Sequence, residues 1–425
     1  MPPRMEQGIS GDAATPTVIE RYLTAEQIQK FVENGVLVVP NVLTPEEVAE
    51  ARRGLHRELA KYGVDYENLE ETGDNLKRLS STGGAGGILD LFYPSWRLKV
   101  AEHEKVFAAM SDLWEATYAH NHPDFQHPFG DFDGKHGYMY INRVCYRVPD
   151  AISRKFGKKK SRPMQRSLTP HWDCCPTKMF DSGKDTPRWR PIQCITVLTS
   201  NTEPNTGGFE CVPGFHKEFT DYAAKNQPET ITETPMTAPL RRPQVCLGDF
   251  SPLRVQEDRV IIDRYQHIGC EAGSVIFFDW RLPHANSYKH VGTIPREVIY
   301  TGFIPDIPMN RSYAQEQLRR ALTVVAEESS SREHVGGIGY VSEVSGYMAS
   351  VGVASGDRTN AILYPEATRE SCEPIRSDQR SQHEPNVQRK SDVKTESGET
   401  SRFAQESSSR LNLTSRFAQS STEAK

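Results

Sequence analysis

Phe277-Phe-Asp-Trp-Arg-Leu-Pro-His284 is an apolar run that stops at Trp280 and is followed four residues later by a histidine. Twelve residues beyond that histidine, Arg296-Glu-Val-Ile-Tyr-Thr-Gly-Phe303 opens a second apolar run on an arginine. Runs this short, rich in Val, Ile and Phe and bounded by Gly and Pro, read as β-strands. Working outward, 138–148, 192–199, 208–213, 274–280 and 297–304 have the same character. A region of many short strands predicts a β sandwich or barrel.

Inside that region lies Thr169-Pro-His171-Trp-Asp173. Side chains at i and i+2 share one face of an extended strand, so an imidazole and a carboxylate can reach one ion without a turn between them. His171, Asp173 and His284 together form a two-histidine, one-carboxylate set. Such a set binds Fe(II) on one face and leaves positions open for a bidentate 2-oxo acid and O2. Arg296 follows on the next strand, where a guanidinium fork can grip a carboxylate. Trp172 points away from its neighbours on that strand and reads as core. A second histidine-rich stretch holds His120, His122, His127 and His136 with Asp131 and Asp133. It is rich in Pro and Gly, no single face presents three of these side chains, and it reads as a solvated loop near the pocket.

The N-terminal part is helical. Thr24 and Gln27 form a capping box with Leu23 and Ile28 as a hydrophobic staple, and that helix should stop at Asn34-Gly35. Val36-Leu-Val-Val39 reads as a strand. A second helix starts from Thr44-Pro45, with Leu43 facing Val48, and runs to about Tyr62. A third is expected over 97–119. The fold class is therefore α+β, with the β core buttressed by N-terminal helices.

Composition limits the rest. Apolar residues are 36% of the 425, too few for a compact fold along the whole length, and no run approaches the roughly 20 apolar residues of a membrane span. Lys plus Arg is 51 against 56 Asp plus Glu, a net charge of −5 that carries no signature of a nucleic-acid binder. Residues 1–16 read as a disordered arm, 17–325 as the folded domain, 326–366 as a weakly ordered extension and 367–425 as a disordered tail. The tail repeats Thr400-Ser-Arg-Phe-Ala-Gln405 at 414–419, as a duplicated docking peptide or as drift. There is no signal peptide and no C-terminal peroxisomal tripeptide, so a cytoplasmic protein is expected. Eight cysteines without a CxxC read as free thiols.

Three segments together resemble the phytanoyl-CoA dioxygenase family of Fe(II)/2-oxoglutarate oxygenases. They are residues 24–52 (TAEQIQKFVENGVLVVPNVLTPEEVAEAR), the set His171, Asp173, His284 and Arg296, and the segment Asn205-Thr-Gly-Gly-Phe-Glu-Cys-Val-Pro-Gly-Phe-His-Lys217. The resemblance spans about residues 20–310 and implies a double-stranded β-helix (jelly-roll) core. It implies Fe(II) on His171, Asp173 and His284, which are then also the catalytic residues. It also implies 2-oxoglutarate paired through its 5-carboxylate with Arg296. Asn286 or Ser287 would help at that carboxylate, and Gln193 or Thr196 would add contacts from their strand. The implied reaction consumes O2 and 2-oxoglutarate, hydroxylates an unactivated C–H of a small-molecule or acyl-CoA substrate, and gives succinate and CO2. Asp173 disfavours the halogenase variant, which lacks the carboxylate.

Two other classes stay open: a jelly-roll module that only binds, and a His/Asp/His zinc hydrolase. A binding module has no need of a buried guanidinium aimed at the metal, and succinate formation from Fe(II) and 2-oxoglutarate separates the oxygenase from the hydrolase. The long insert 218–270 matches no segment to which the resemblance gives a role. Residues 151–166 carry seven basic side chains and no acidic one. They read as a solvated loop, a nuclear-targeting run at Lys158–Lys160, or an attractor for an anionic substrate such as a CoA ester. The oligomeric state is not legible.

Overall fold

A computed structural model of the chain describes residues 21–81, 84–120, 122–156, 170–176, 178–180, 188–225, 250–333 and 361–362. The arm 1–16, the tail 367–425 with its duplicated hexapeptide, most of 326–366, Thr169 and the basic run from Lys158 to Arg166 lie outside the described residues. The chain divides into two units, 1–367 and 368–425, and the described residues all belong to the first.

Thr24 caps the helix Ala25–Asn34 and Thr44 caps Pro45–Lys61, each with a complete capping box. The first helix ends at Gly35, whose left-handed φ of 67° costs a glycine little. Phe31 on its inner face is fully buried, worth roughly 1.5–3 kcal/mol of transfer free energy. The helix expected over 97–119 is two helices, Ser95–Ala101 and Glu104–Ala116. The break falls at His103, whose ring accepts the Lys105 N–H at 3.3 Å and so competes with helical pairing.

In chain order the strands are β1 (Val36–Val39), β2 (Ile88–Leu89), β3 (His136–Met139), β4 (Val144–Arg147), β5 (His171–Trp172), β6 (Ile192–Val197) and β7 (Phe209–Cys211). They continue as β8 (Ser251–Pro252), β9 (Gln266–His267), β10 (Val275–Asp279), β11 (His284–Asn286), β12 (Arg296–Thr301), β13 (Phe303–Pro305) and β14 (Ala361–Ile362). A six-stranded sheet runs β1-β10-β6-β12-β4-β2 and a five-stranded sheet runs β8-β5-β11-β7-β9. The registered pairs within both sheets are antiparallel. A third sheet, β13-β3-β14, stands beside them. The run read as 138–148 is thus divided between two sheets, as is 297–304. The first divides after Met139, where Gln317 hydrogen-bonds both the Met139 carbonyl and the Ile141 N–H, and the second divides at Gly302.

Every residue of β10 is buried, because the strand is paired on both edges. Trp172 is buried against Phe215, Phe219 and Tyr222, in the core as its strand parity requires. Among the described residues no helix is long and apolar enough to cross a membrane. Cys145, Cys174, Cys194, Cys211 and Cys270 are free and buried. Cys175 is disulfide-bonded, which corrects the reading of all eight as free thiols.

Candidate metal centre

β5 is only two residues long, yet it fixes the site. It lies between β8 and β11, and its register sets His171 directly opposite His284. The two rings stand 4.4 Å apart at their centroids. Asp173, two residues beyond His171, completes the set: its Oδ1 is 3.4 Å from His171 Nε2 and its Oδ2 is 3.7 Å from His284 Nε2. One ligand atom from each residue lies within 4.8 Å of the others, and among the described residues no other group of three or more His, Cys, Asp or Glu does so.

The tautomer of His284 follows from chemistry. Its Nδ1 is 2.9 Å from the Leu282 carbonyl, which can only accept, so Nδ1 carries the hydrogen and Nε2 keeps its lone pair for a ligand. Burial, followed by the neighbouring His171, pushes the His284 ring down to about 4, so it is neutral at pH 7. Burial works against the Asp173 carboxylate, but hydrogen bonding from His171 and the charges of His284 and Arg190 hold it well below the ordinary carboxylate range. With His284 neutral, the permanent charge among these is Arg190, 3.9 Å from Oδ2. Two imidazoles and a carboxylate ionised at neutral pH are the donor set that suits Fe(II), so the residues fit the metal.

A cavity of ≈ 430 Å³ opens on the triad, lined from both large sheets. Gln193, Ile195, Phe278 and Tyr300 come from one, and His171, Phe209, His284 and Asn286 from the other. Asn142, Arg143 and Phe250 complete its rim and wall. Gln193 and Asn286 therefore line the cavity, and Asn286 Nδ2 donates to the Tyr300 hydroxyl at 3.3 Å. Thr196 does not line the cavity; its hydroxyl meets that of Thr301 at 3.3 Å. Ser287 is also off the cavity, fully buried, and its carbonyl accepts from the Arg147 guanidinium.

Arg296 is 3% exposed and touches the site through Tyr300, to which it is hydrogen-bonded, rather than lining the cavity itself. Its Nη1 donates to Cys145 Sγ at 3.3 Å, and among the described residues no carboxylate lies within ion-pair distance of it. A buried guanidinium without a carboxylate is costly unless an anion arrives to pair with it.

Three contributors were missed from sequence. Tyr300 was legible, since it shares parity with Arg296 on one strand. Arg190 carries no motif. Phe250, whose ring centroid lies 4.6 Å from that of His171, comes from the insert that had no assigned role. Among the described residues, the histidines of the 120–136 stretch do not converge with other His, Cys, Asp or Glu as a group of three or more. His127 packs on Trp189 at 4.6 Å and bonds the Tyr118 carbonyl at 2.7 Å, which makes it half-buried structure rather than solvated loop.

An antiparallel β scaffold carrying a two-histidine, one-carboxylate triad over a cavity defines a candidate mononuclear metal oxygenase. Residues 31–297 match the family described as phytanoyl-CoA dioxygenase, and the chain belongs to that family. Among curated proteins it is 23% identical over 313 residues to the ectoine dioxygenase of Stutzerimonas stutzeri, covering 72% of this chain and 85% of that one. The ectoine dioxygenase of Bordetella bronchiseptica is 21% identical over 280 residues, covering 65% and 74%. The solved epimerase SnoN with Fe3+, alpha ketoglutarate and nogalamycin RO overlays with a TM-score of 0.39 at 14% identity, covering 66% of this chain and 82% of that one.

Proposed function

We propose that this protein is an Fe(II)/2-oxoglutarate-dependent dioxygenase that hydroxylates an unactivated C–H of a small-molecule or acyl-CoA substrate, and that its two large sheets form a double-stranded β-helix. The observation that carries the reading is the convergence of His171, Asp173 and His284 at the floor of a cavity, with one face of the set open. Bound there, iron would supply the activation of O2 with decarboxylation of 2-oxoglutarate to succinate and CO2.

The chain's own residues do the rest. The Leu282 carbonyl holds His284 in the ligating tautomer. Hydrogen bonding from His171 and the charges of His284 and Arg190 keep Asp173 ionised. Arg296, acting beside Tyr300 and Asn286, favours a carboxylate at the far end of the cavity, with Gln193 contributing from its own strand. Phe209, Phe250 and Phe278 keep water from the reacting centre.

The test is Fe(II)-dependent formation of succinate from 2-oxoglutarate under O2, which proceeds slowly even without the primary substrate. No succinate above that of a His171→Ala control, with Fe(II) bound, refutes the oxygenase. Hydrolysis supported by Zn(II) instead would establish the rival class.

A further inference from the structure

Arg190 lies next to the metal ligands and is not one of them. It follows Trp189 and precedes β6, and is 7% exposed. Its guanidinium lies over the Tyr140 ring at 5.0 Å, which fixes its plane. One nitrogen is 3.9 Å from Asp173 Oδ2, and another donates to Gln193 Oε1 at 2.5 Å. A guanidinium has donors and no acceptor, so the side of the Gln193 amide that faces it must be the oxygen. The amide NH2 is thereby turned the other way. Gln193 lines the cavity, is 7% exposed, and among the described residues its Nε2 has no hydrogen-bond partner. A buried donor left without an acceptor is costly, so this geometry favours a ligand that brings an acceptor.

We infer that Arg190 is a positioning residue: it locks the Gln193 amide so that its N–H groups hold a carboxylate oxygen of the 2-oxo acid, while keeping its charge on the metal-ligating Asp173. This rests on the Fe(II)/2-oxoglutarate reading above. The same guanidinium thus ties the metal side of the site to the co-substrate side. Removing it frees the amide to rotate and present its oxygen, which repels a carboxylate.

The experiment is an anaerobic titration of the Fe(II)-loaded protein with 2-oxoglutarate, read by the visible charge-transfer absorption that a chelated 2-oxo acid gives. Co(II) absorption without co-substrate reads the metal site separately. Gln193→Leu is expected to weaken 2-oxoglutarate roughly ten- to hundredfold, the worth of a hydrogen bond to a charged group. Arg190→Met should weaken it comparably, and Arg190→Lys, which still only donates, should recover most of the loss. In the Gln193→Leu background, Arg190→Met should cost little more, because the arginine acts through the amide.

Full additivity of the two substitutions, or wild-type titration by Gln193→Leu, overturns the assignment. If Arg190→Met does not fold, judged by melting and Co(II) binding, the Gln193→Leu and Arg190→Lys titrations still decide it. Absence of any 2-oxoglutarate signal in the wild-type protein overturns the proposed function itself, a different result from a normal wild-type titration with additive variants.

Discussion

His171, Asp173 and His284 divide the work by geometry: two are register partners across β5 and β11, and the third follows two residues after His171, just past the end of β5. Replacing any one by Ala removes a ligand and the shape of the set, so each variant should lose Fe(II)-dependent succinate formation. Wild-type rates in any two would refute the metal assignment. Arg296 makes a separable prediction. Arg296→Leu should raise the 2-oxoglutarate concentration needed for half-maximal turnover roughly ten- to hundredfold, with a much smaller effect on Fe(II) affinity. Equal losses in both titrations would mean that Arg296 only supports the fold. Single-residue chemistry was legible where two side chains lie two positions apart along the chain, as His171 and Asp173 do. It was not legible for Arg190 or Phe250, whose positions depend on contacts across sheets.

The helical elements were legible because their signals are local. A capping residue and its reciprocal partner sit three positions apart, and both boxes form as written. Thr44→Ala should therefore cost about 1 kcal/mol in a denaturant melt, with Thr24→Ala similar. Gly54 tests packing against propensity. Ala is the better helix former by up to about 1 kcal/mol, which favours Gly54→Ala. But an added Cβ would stand 2.5 Å from the Cβ and Cγ of Trp96, on the helix packed alongside. Overpacking of that kind costs about 1–3 kcal/mol, so the variant should melt lower, and a rise in melting temperature would show that Trp96 yields freely. The two-residue strands β5, β8 and β9 have no such local signal. Each is extended because a neighbour pairs with it, and the neighbour lies far along the chain.

At the scale of the whole molecule, the site depends on two sheets being held together while buried charge is kept in order. His290, in the connection between β11 and β12, is 2% exposed. Its backbone N–H donates to Asp150 Oδ2 at 3.1 Å, and its carbonyl accepts the Asp150 N–H at 2.9 Å. Burial, then the charges of Arg147 and Arg296, push its ring from the ordinary 6.5 down to about 4. Between these values the unfolded chain binds a proton on His290 that the folded chain does not, so stability is full above about pH 6.5 and falls as pH drops toward 4. His284 adds a loss of the same sign in metal-free protein, and an ion on its Nε2 would not remove it, because the folded ring would still take up no proton. Urea unfolding of the wild type and His290→Gln, both metal-free, at about pH 7.5 and about pH 5 separates the contributions. The variant should start less stable at the higher pH, because it loses packing, yet lose less on acidification than the wild type. Parallel losses in the two proteins would show that His290 takes up its proton without unfolding and that the acid sensitivity resides elsewhere.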